Sequence, residues 1–462
     1  MVEKEMSSKI HILAIPFPLQ GHINPIVQFS KLLNSRGIKV TLVTTATLCS
    51  MLMQTQTGSI AIESAPDVSV DETECKDPID LFIKSFQASI SSSFRPIVEK
   101  MENSGCPVNF IACDVNMPWM LDLTHQLGLK GMAISTQSAA VAALFYHFQQ
   151  GKIKLPPEEG ETISLPLFPK MAESDLPSSI YAPELYPPLL QLVLSQNRSF
   201  LIADWLFFNT FDMLEDEILS WMANQWKIKT IGPMIPSKYL EHKLDDDKDY
   251  GICLFKPADD DISTQWLDSK DPASVVYVSF GSLANLQQNQ VQEIASGLAN
   301  SQCNFLWVVR ASEETKLPAN FLEEIKDRGL IVNWCSQLEV LAHQAVGCFL
   351  THCGWNSTLE ALSLGVPMVA MPLWADQPTN AKFIADIWQV GVRVKAGEKG
   401  IVSKGEVQRC IKEVLAGQNR RTLQENALKW KKLSNEAING GSSEKNFEEF
   451  ISELYKTVSS SL

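Results

Sequence analysis

One short segment of the sequence combines several groups suited to holding a diphosphate. The strand-like run Gly347 to Thr351 leads into His352-Cys353-Gly354-Trp355-Asn356-Ser357, and a helical pattern follows that Gly365 closes. At such a strand-to-helix turn, free backbone N–H groups and the positive end of the helix dipole attract an anion. The imidazole, amide and hydroxyl groups of the turn add side-chain donors. The segment therefore predicts a diphosphate site that uses neither lysine nor metal.

Some residues of this region also fit purely structural roles. Ser357 and Glu360 have the spacing of a capping box, in which side chains satisfy the first N–H groups of a helix. Taken alone, the two residues favour that structural interpretation. Trp334, upstream of the turn, is by itself more typical of a core position.

The whole segment from Trp334 to Gln377 resembles the signature box of plant family-1 UDP-sugar glycosyltransferases. The resemblance implies that the opening Trp stacks on uracil, that the Gln three places on supports the base or ribose, and that the turn holds the diphosphate. It also implies that a Glu in the next helical turn accepts hydrogen bonds from the ribose hydroxyls, which suits a carboxylate because both oxygens accept. Carried onto this sequence, the implied UDP-binding residues are Trp334, Cys335, Gln337, His352, Gly354, Asn356, Ser357 and Glu360.

The end of the box bears on the sugar. In the resembling family, Gln at the closing position usually accompanies glucose, so the resemblance implies UDP-glucose as the donor. The implied sugar-binding residues there are Trp355, Asp376 and Gln377. A second turn, Ser279-Phe280-Gly281-Ser282, resembles the family's strand-end turn near the diphosphate, where Ser282 can donate. A plain tight turn is the alternative interpretation.

His22 and Asp114 are candidates for moving a proton. His22 lies where the strand-like run Ile10 to Ile15 passes into a helical pattern predicted over Pro25 to Ser35, and a helix N-terminus keeps an imidazole neutral and able to take a proton. Asp114 ends the strand-like run Asn109 to Cys113, so both side chains are expected at one sheet edge. The resemblance implies that His22 is the catalytic base, which deprotonates an acceptor hydroxyl. It also implies that Asp114 orients the imidazole of His22, as the aspartate of a hydrolase triad does. A lone His at a turn is otherwise more often structural.

Further expectations concern the sugar and the acceptor. Thr136, just after the strand-like run Lys130 to Ile134, resembles the position at which family members hydrogen-bond the sugar, with Ser135 and Ser138 as alternatives. Many relatives have a small hydroxylated residue where this chain has Leu19, which suits an apolar acceptor. Residues proposed to wall the acceptor pocket, with core packing as an equal alternative, are Leu19, Gly21, Met117, Trp119 and Phe145.

Two series of alternating strand and helix patterns position these turns. Together they predict an α/β fold with two doubly wound parallel sheets, and the resemblance implies the GT-B type, with two facing Rossmann-like domains and an interdomain cleft. Prolines are dense between Pro156 and Pro188, which indicates long loops that shape a substrate pocket. The expected ranges are an acceptor-binding domain 1–237, a linker 238–262, a UDP-sugar-binding domain 263–443, and a C-terminal helix 444–462 that packs back on the N-terminal domain.

Composition excludes several classes of protein. With 462 residues, 45% of them hydrophobic and 20% charged, the chain is neither disordered nor membrane-spanning. A net charge of −14 provides no basic field for nucleic acid or anionic lipid. Ten scattered cysteines without a CxxC pair favour a reducing compartment, so a cytoplasmic location is expected. The charged start, Met1 to Lys9, is followed by a strand-like run rather than a signal peptide.

The sequence patterns expected for other functions are weak or missing. The runs Asp245 to Asp249 and Asp259 to Asp261 contain the Asp-x-Asp metal pattern of another glycosyltransferase fold, but they lie in the polar linker and predict a solvated acidic run. No regular structure is expected from Lys238 until Trp266. The Gly-rich fingerprint of a dehydrogenase and a P-loop are both missing. A non-catalytic UDP-sugar or metabolite-binding protein remains the alternative, and the presence of both His22 and Asp114 argues against it.

The sequence as a whole thus predicts an inverting, metal-independent O-glucosyltransferase without a cofactor, with UDP-glucose as co-substrate. The expected acceptor is a hydroxyl or carboxylate of a small lipophilic natural product such as a phenolic, terpenoid or steroid. A monomer is expected, with no nucleic-acid partner and no integral membrane segment.

Overall fold

The structure, a computed structural model, describes residues 10–54, 60–70, 77–155, 162–240, 247–253, 260–397 and 399–460. The chain divides into two compact units. The first unit comprises Met1–Glu173, Ser178–Leu254 and Glu436–Leu462, and the second comprises Ser174–Pro177 and Phe255–Asn435.

The first unit is built on a parallel sheet of seven strands in the order β4-β2-β1-β5-β6-β7-β8. All residues of β1 and β5 are buried, as expected where helices cover both faces of a parallel sheet. The strands are β1 (His11–Ile15), β2 (Lys39–Thr45), β4 (Ala61–Ala65), β5 (Phe110–Asp114), β6 (Lys130–Ser135), β7 (Trp205–Phe208) and β8 (Ile228–Thr230); a separate antiparallel pair joins β3 (Met53–Gln54) to β9 (Ile252–Cys253).

Helices connect these strands and cover the sheet. They are α1 (Gln20–Ser35), α2 (Ala46–Met51), α3 (Pro78–Asn103), α4 (Pro118–Gln126), α5 (Ala139–Gln149), α6 (Ser178–Tyr181), α7 (Pro187–Ile202) and α8 (Asp216–Ala223), with short 3₁₀ turns at Glu173–Asp175, Asp212–Leu214 and Ser237–Tyr239.

The second unit is built on a parallel sheet of six strands in the order β12-β11-β10-β13-β14-β15. Its strands are β10 (Val275–Ser279), β11 (Asn304–Val308), β12 (Gly329–Val332), β13 (Val346–Thr351), β14 (Met368–Ala370) and β15 (Gly391–Arg393). Its helices are α9 (Asp260–Asp268), α10 (Gln288–Ser301), α11 (Phe321–Ile325), α12 (Gln337–Ala342), α13 (Trp355–Leu364), α14 (Gln377–Lys382), α15 (Lys404–Ala416) and α16 (Arg420–Ile438), with a 3₁₀ segment at Ala311–Lys316 and a π-helical turn at Phe383–Ile387.

Each sheet has a point at which the order of the strands reverses. In the first sheet β1 lies between β2 and β5, and in the second β10 lies between β11 and β13. The register pairs Ile15 with Cys113 in the first case and Ser279 with Thr351 in the second. Ligands of open parallel sheets bind beyond the carboxyl ends of the strands at such switch points. The loops after β1, β5, β10 and β13 are therefore the places to search for a site.

The last helix of the chain, α17 (Ser442–Ser460), packs on the first unit. The ring of Phe450 lies 6.0 Å from that of Phe29 on α1 and 4.8 Å from that of Phe207 on β7. Trp205 Nε1 donates a hydrogen bond of 2.6 Å to Glu453 Oε2. The helix therefore supports α1 and begins two residues before the predicted start at residue 444. No helix within the described ranges is both long and apolar enough to span a bilayer.

Two sequence expectations about regular structure were wrong. The helix predicted from Pro25 begins at Gln20, five residues earlier. The prediction placed the start at Pro25 because proline typically occupies the first turn of a helix, whereas here it lies inside the helix. His22 therefore lies in the first helical turn. Regular structure was also not expected between Lys238 and Trp266, yet β9 (Ile252–Cys253) lies in this stretch and α9 begins at Asp260.

The expectation of a solvated acidic run was also wrong at Asp247. This residue is only 5% exposed, and its carboxylate accepts hydrogen bonds from Gln28 Nε2 at 2.5 Å, Lys31 Nζ at 3.1 Å and the backbone N–H of Ser237 at 2.7 Å. A carboxylate can be buried when a cation and N–H donors satisfy its oxygens. Residues 238–240 and 247–253 of the predicted linker thus lie within the first unit, whereas its residues 260–262 lie within the second. Asp245, Asp246 and Asp259 lie outside the described residues.

Candidate active site

A histidine and a carboxylate meet at the first switch point. His22 lies in the first turn of α1, and its Nδ1 is 2.6 Å from Oδ2 of Asp114, the last residue of β5. Asp114 is completely buried, whereas the His22 side chain is 25% exposed. A carboxylate at Nδ1 favours the tautomer with the proton on that nitrogen. The other ring nitrogen, Nε2, is then the one that can accept a proton.

Two neighbours that the sequence analysis did not connect with this pair hold it in place. Asp114 Oδ1 accepts hydrogen bonds from the backbone N–H of Asn116 at 2.9 Å and from Asn116 Nδ2 at 3.0 Å. Thr136 Oγ1 lies 2.9 Å from His22 Nδ1 and donates to Asp114 Oδ2 at 3.4 Å. Both carboxylate oxygens therefore have partners. Thr136, predicted to contact the sugar, lies beside this dyad.

A row of aromatic side chains extends from His22. The ring of Phe17 is 5.4 Å from the imidazole, and Phe82 and Phe86 on α3 lie 6.3 and 5.8 Å from Phe17. Trp119 continues the row at 6.4 Å from Phe86. Phe82 is 41% exposed. We refer to Phe17, Phe82, Phe86 and Trp119 as the aromatic row.

The other residues predicted for the acceptor side differ in exposure. Leu19 is half-buried and Gly21 is exposed at the start of α1. Met117 and Phe145 are fully buried. Trp119 of the aromatic row was predicted for the acceptor pocket. Phe17, Phe82 and Phe86 were missed because α3 lies some sixty residues beyond Phe17 in the sequence, and its phenylalanines have ordinary helical spacing.

A second histidine lies at the other switch point, between two glycines. A Cβ on Gly281, after β10, would come within 2.6 Å of His352 Nε2, and a Cβ on Gly354 within 2.5 Å. Gly281 also has φ +75°, a conformation that favours glycine. The two strand-end turns can therefore pack around the imidazole only because both positions lack a side chain.

Burial determines the charge of this imidazole. It lowers the pKa of His352 to about 4, although the backbone of Ser279 acts in the opposite direction. His352 is therefore neutral at neutral pH. A neutral imidazole next to a helix N-terminus can donate a hydrogen bond to an anion without a proton being taken up first.

The start of α13 decides between the two interpretations of Ser357 and Glu360. The helix begins at Trp355 with Gly354 as its N-cap, so the capping-box alternative is wrong. Ser357 is the third helical residue, and both side chains are buried. Gln337 Nε2 donates to Ser357 Oγ at 2.8 Å and to Glu360 Oε2 at 2.6 Å. The structure thus brings together three residues that the sequence analysis predicted to bind UDP.

Tyr277 on β10 fixes the orientation of this network. Its hydroxyl donates to Gln337 Oε1 at 3.3 Å and lies 3.7 Å from Cys335 Sγ. Because the hydroxyl donates to the amide oxygen, the amide nitrogen is directed to Ser357 and Glu360. Burial raises the pKa of Tyr277 well above its ordinary value, so the phenol keeps its proton. The sequence analysis missed Tyr277 because a tyrosine within an apolar strand looks like core.

The predicted sugar-binding pair lies at the start of α14. Asp376 precedes the helix, and its Oδ2 accepts from Asn380 Nδ2 at 2.8 Å. Asn380 Nδ2 also donates to the backbone oxygen of Cys353 at 2.9 Å. Gln377 Oε1 accepts from the backbone N–H groups of Leu373 and Trp374 at 2.9 and 3.1 Å. Asn380 therefore links the Asp376–Gln377 pair to the turn after β13.

The remaining predicted residues of the second unit lie on its strand-end loops. The backbone oxygen of Ser282 accepts a hydrogen bond of 2.8 Å from Arg310 Nη1, and no local sequence pattern predicts this contact. Trp334 and Asn356 are partly exposed, whereas Trp355 is buried with its ring 6.2 Å from that of Trp388.

Comparison with known proteins identifies the family. Residues 207–436 match the family model described as UDP-glucoronosyl and UDP-glucosyl transferase, and residues 8–60 match that of a glycosyltransferase N-terminal domain. The chain is 47% identical to a mogroside I-E synthase of Siraitia grosvenorii, with 97% of this chain and 99% of that protein covered. The chain belongs to the plant UDP-glycosyltransferases.

Other proteins similar to this UDP-glycosyltransferase support the same family assignment. UDP-glycosyltransferase 74E2 of Arabidopsis thaliana is 45% identical, with 96% of this chain and 98% of that protein covered. The crystal structure of Os79 from O. sativa in complex with UDP is similar at a TM-score of 0.88 and 35% identity, covering 96% of this chain and 100% of that one. Phytolacca americana UGT2, solved with UDP-2fluoro-glucose and pterostilbene, gives 0.81 at 28% identity, covering 96% and 99%.

These comparisons bear on the expectations from the sequence. The family resemblance and the fold class, two parallel Rossmann-like sheets of the GT-B type, are confirmed. At the level of the family, the prediction of an enzyme that transfers glycosyl groups from UDP-glucose is confirmed as well. Within the part of the UDP-glycosyltransferase that the structure describes, no three His, Cys, Asp or Glu side chains form a group that could hold a metal ion.

Proposed function

We propose that this UDP-glycosyltransferase is an inverting, metal-independent O-glucosyltransferase that moves glucose from UDP-glucose to a hydroxyl or carboxylate of a small lipophilic natural product. The observation that carries the proposal is the contact of 2.6 Å between His22 Nδ1 and the buried Asp114 Oδ2. A protein that only binds UDP-sugars has no need of a partly exposed imidazole paired with a buried carboxylate.

The dyad would act on the acceptor. Asp114 holds Nδ1–H, so Nε2 of His22 removes the proton of an acceptor hydroxyl while the acceptor oxygen attacks the anomeric carbon. A carboxylate acceptor is already ionised at neutral pH and attacks without this proton transfer. The bond from that carbon to UDP breaks in the same displacement, which inverts the anomeric configuration. The buried Asp114 carboxylate stabilises the imidazolium that forms, as the Asp of a hydrolase triad does. Thr136 and Asn116 hold the imidazole of His22 and the carboxylate of Asp114 in this relative position.

The second unit would hold UDP and stabilise its departure. The family resemblance assigns Trp334 to uracil and Gln337 and Glu360 to the base and ribose. The N-terminus of α13 and the neutral His352 would donate to the diphosphate, joined by Asn356, Ser357 and Ser282. These donors supply the charge stabilisation that a divalent cation provides in other transferases.

The sugar would be bound at the start of α14. Asp376 offers carboxylate oxygens to the glucose hydroxyls. Gln377 Oε1 is already committed to two backbone N–H groups, so the amide nitrogen Nε2 is what this side chain can offer a sugar oxygen. The family tendency that links Gln at this position to glucose supports UDP-glucose over UDP-galactose.

The aromatic row supports a lipophilic acceptor with a ring system. Phe17 packs against His22, and Phe82 adds exposed aromatic surface beyond it. Aromatic faces bind flat apolar rings through area burial and favourable ring contacts. The pterostilbene and trichothecene complexes of the two solved relatives support an acceptor of this general kind.

The test is product formation by mass spectrometry with UDP-glucose, EDTA and a panel of phenols, aromatic acids, triterpenoids and steroids. A gain of one hexose on a panel member, with the β-anomer by NMR, is expected. UDP-glucose binding without any transfer or hydrolysis would instead favour the non-catalytic binding protein. Dependence on added Mg²⁺ or Mn²⁺ would contradict metal independence. The monomeric state and the cytoplasmic location stay predictions.

A further inference from the structure

A short piece of the proline-dense region belongs to the donor-binding unit. Ser174–Pro177, called here the 174–177 segment, lies in the second unit, although the residues on both sides of it belong to the first. Arg393 on β15 donates from Nη1 to Asp175 Oδ1 and from Nη2 to the backbone oxygen of Ser174 at 2.9 Å. Thr379 Oγ1 on α14 donates to the backbone oxygen of Asp175 at 2.8 Å.

Asp175 is a buried charge with two cationic partners. It is 6% exposed, and Lys382 Nζ lies 3.6 Å from its Oδ2, while Arg393 occupies Oδ1. Removing one member of a buried ion pair leaves the other without compensation, unlike the loss of a surface pair. The contact between the 174–177 segment and the second unit is therefore specific and costly to break.

The helix that receives this segment carries the proposed sugar site. α14 has six residues and continues directly into the π-helical turn Phe383–Ile387, and a helical segment of this length depends on packing partners for its stability. At its start, Asn380 ties it to Cys353 and Asp376, as described above. With 3.6 residues per turn, the side chain of Thr379 is rotated about 100° around the helix axis from that of Asn380, and Lys382 is rotated further still. The helix is thus anchored on one face by the diphosphate turn and on another by Asp175.

We propose that Asp175 is a positioning residue for the donor sugar. By holding Thr379, Lys382 and Arg393, it fixes α14 so that Asp376 and Gln377 meet the glucose hydroxyls. This inference rests on the proposed sugar-binding role of that pair. Asp175 itself touches no part of the donor; its effect passes through the position of the helix.

The inference predicts that Asp175→Asn weakens binding of the sugar and spares the nucleotide. UDP lacks the glucose that α14 contacts, so its Kd should stay within about 2-fold of wild type. The Kd of UDP-glucose should rise about 5- to 20-fold, as expected when one or two hydrogen bonds are lost or misaligned. Calorimetric titration of the full-length protein with UDP and with UDP-glucose measures both. The preference for UDP-glucose over UDP-galactose should fall in parallel.

Two further variants separate positioning from a general loss of folding. Thr379→Val removes the hydroxyl that contacts the 174–177 segment and should give the same pattern at about 2- to 5-fold. Asp386→Asn is the matched control, because Asp386 pairs with the same Lys382 at 2.7 Å but is half exposed. That control should leave both Kd values unchanged. In the double variant Asp175→Asn with Arg393→Gln, the loss should be smaller than the two single losses combined, because both substitutions break the contact between Arg393 and Asp175.

The ratio of the Kd of UDP-glucose to the Kd of UDP tests the positioning role of Asp175 without any measurement of catalysis. If UDP and UDP-glucose weaken by the same factor, or if neither changes in Asp175→Asn and Thr379→Val, Asp175 does not position the sugar. If Asp175→Asn fails to fold, Thr379→Val alone decides by the same ratio. If the variants show the expected ratio change but the wild-type protein transfers no hexose to any acceptor, the proposed function is refuted and this inference stands.

Discussion

The two switch points have the same topological place in their sheets but are built from different interactions. At the first, side chain binds side chain: His22, Asp114, Asn116 and Thr136 form one hydrogen-bonded group. At the second, the imidazole of His352 packs between two glycines at the N-terminus of α13. Moving a proton requires a base with a fixed tautomer, whereas binding a diphosphate requires backbone N–H groups and room. The same fold element therefore serves two chemistries.

The two histidines show the difference most directly. His22 is partly exposed and paired with a carboxylate that stabilises its charged form. His352 is held in the neutral form by burial, which lowers its pKa to about 4. The comparison predicts that substitutions at the first switch point affect chemistry, and that substitutions at the second affect donor binding.

The largest expected effect comes from removing the base. His22→Ala should lower kcat/KM by about 10³-fold or more, because a positioned general base contributes up to about 10⁴-fold. The Kd of UDP-glucose should stay within about 2-fold, measured by calorimetry beside steady-state kinetics. His125→Ala is the matched control, since His125 also pairs with an aspartate, Asp204 at 3.1 Å, but at the surface. Equal losses of binding and rate would contradict the role of His22.

The second prediction fills the space beside His352. Gly281→Ala should weaken UDP binding about 10- to 100-fold, because the new Cβ displaces the imidazole and strains a backbone with φ +75°. Gly105→Ala separates these causes, since Gly105 also has φ +75° but a Cβ there meets nothing within 4 Å. Gly105→Ala should lower the melting temperature without changing the Kd of UDP. If both variants leave UDP binding unchanged, the glycine packing has no functional meaning.

A smaller effect is expected at Tyr277. Tyr277→Phe removes the hydroxyl that directs Gln337 toward Ser357 and Glu360, so the KM for UDP-glucose should rise about 3- to 10-fold with kcat little changed. Tyr455→Phe removes a comparable tyrosine hydroxyl bond, 3.3 Å to the backbone oxygen of Arg36, and should leave the KM unaltered. A change of kcat alone in Tyr277→Phe would place Tyr277 in the chemical step instead.

The comparison also shows what the sequence could reveal. The strand-to-helix turns were predictable because their signals are local: apolar runs, then glycine, then helical periodicity. Their positions at the switch points account for how close His22 lies to Asp114, and His352 to Gly281. The start of α1 was misplaced by only five residues, since Pro25 resembled a helix start.

Residues that act through distant partners could not be found in this way. Asp247 was predicted to be solvated because its neighbours are acidic, yet Gln28 and Lys31, more than two hundred residues away, bury it. Asp175 and Arg393 are separated by a similar distance. Tyr277 looks like core in an apolar strand. Such pairings depend on the tertiary fold, and no local periodicity encodes them.

The smallest expected effect concerns the pH dependence of stability. The pKa of His352 is about 4 in the folded protein and about 6.5 in an unfolded chain, so the unfolded state binds more protons between these values. Stability from a neutral His352 is therefore fully present above pH 6.5 and is lost as the pH falls toward 4. At pH 5 the loss amounts to at most about 2 kcal/mol.

Replacing His352 by a residue that does not titrate measures this contribution. In His352→Asn, the fall in melting temperature between pH 7.5 and pH 5 should be a few degrees smaller than in the wild type, without bound nucleotide. His125→Asn, at an exposed histidine, should leave the difference unchanged. An identical fall in His352→Asn and wild type would mean that His352 titrates normally. The contrast between a histidine paired with a carboxylate at one switch point and a histidine held neutral between two glycines at the other would then be lost.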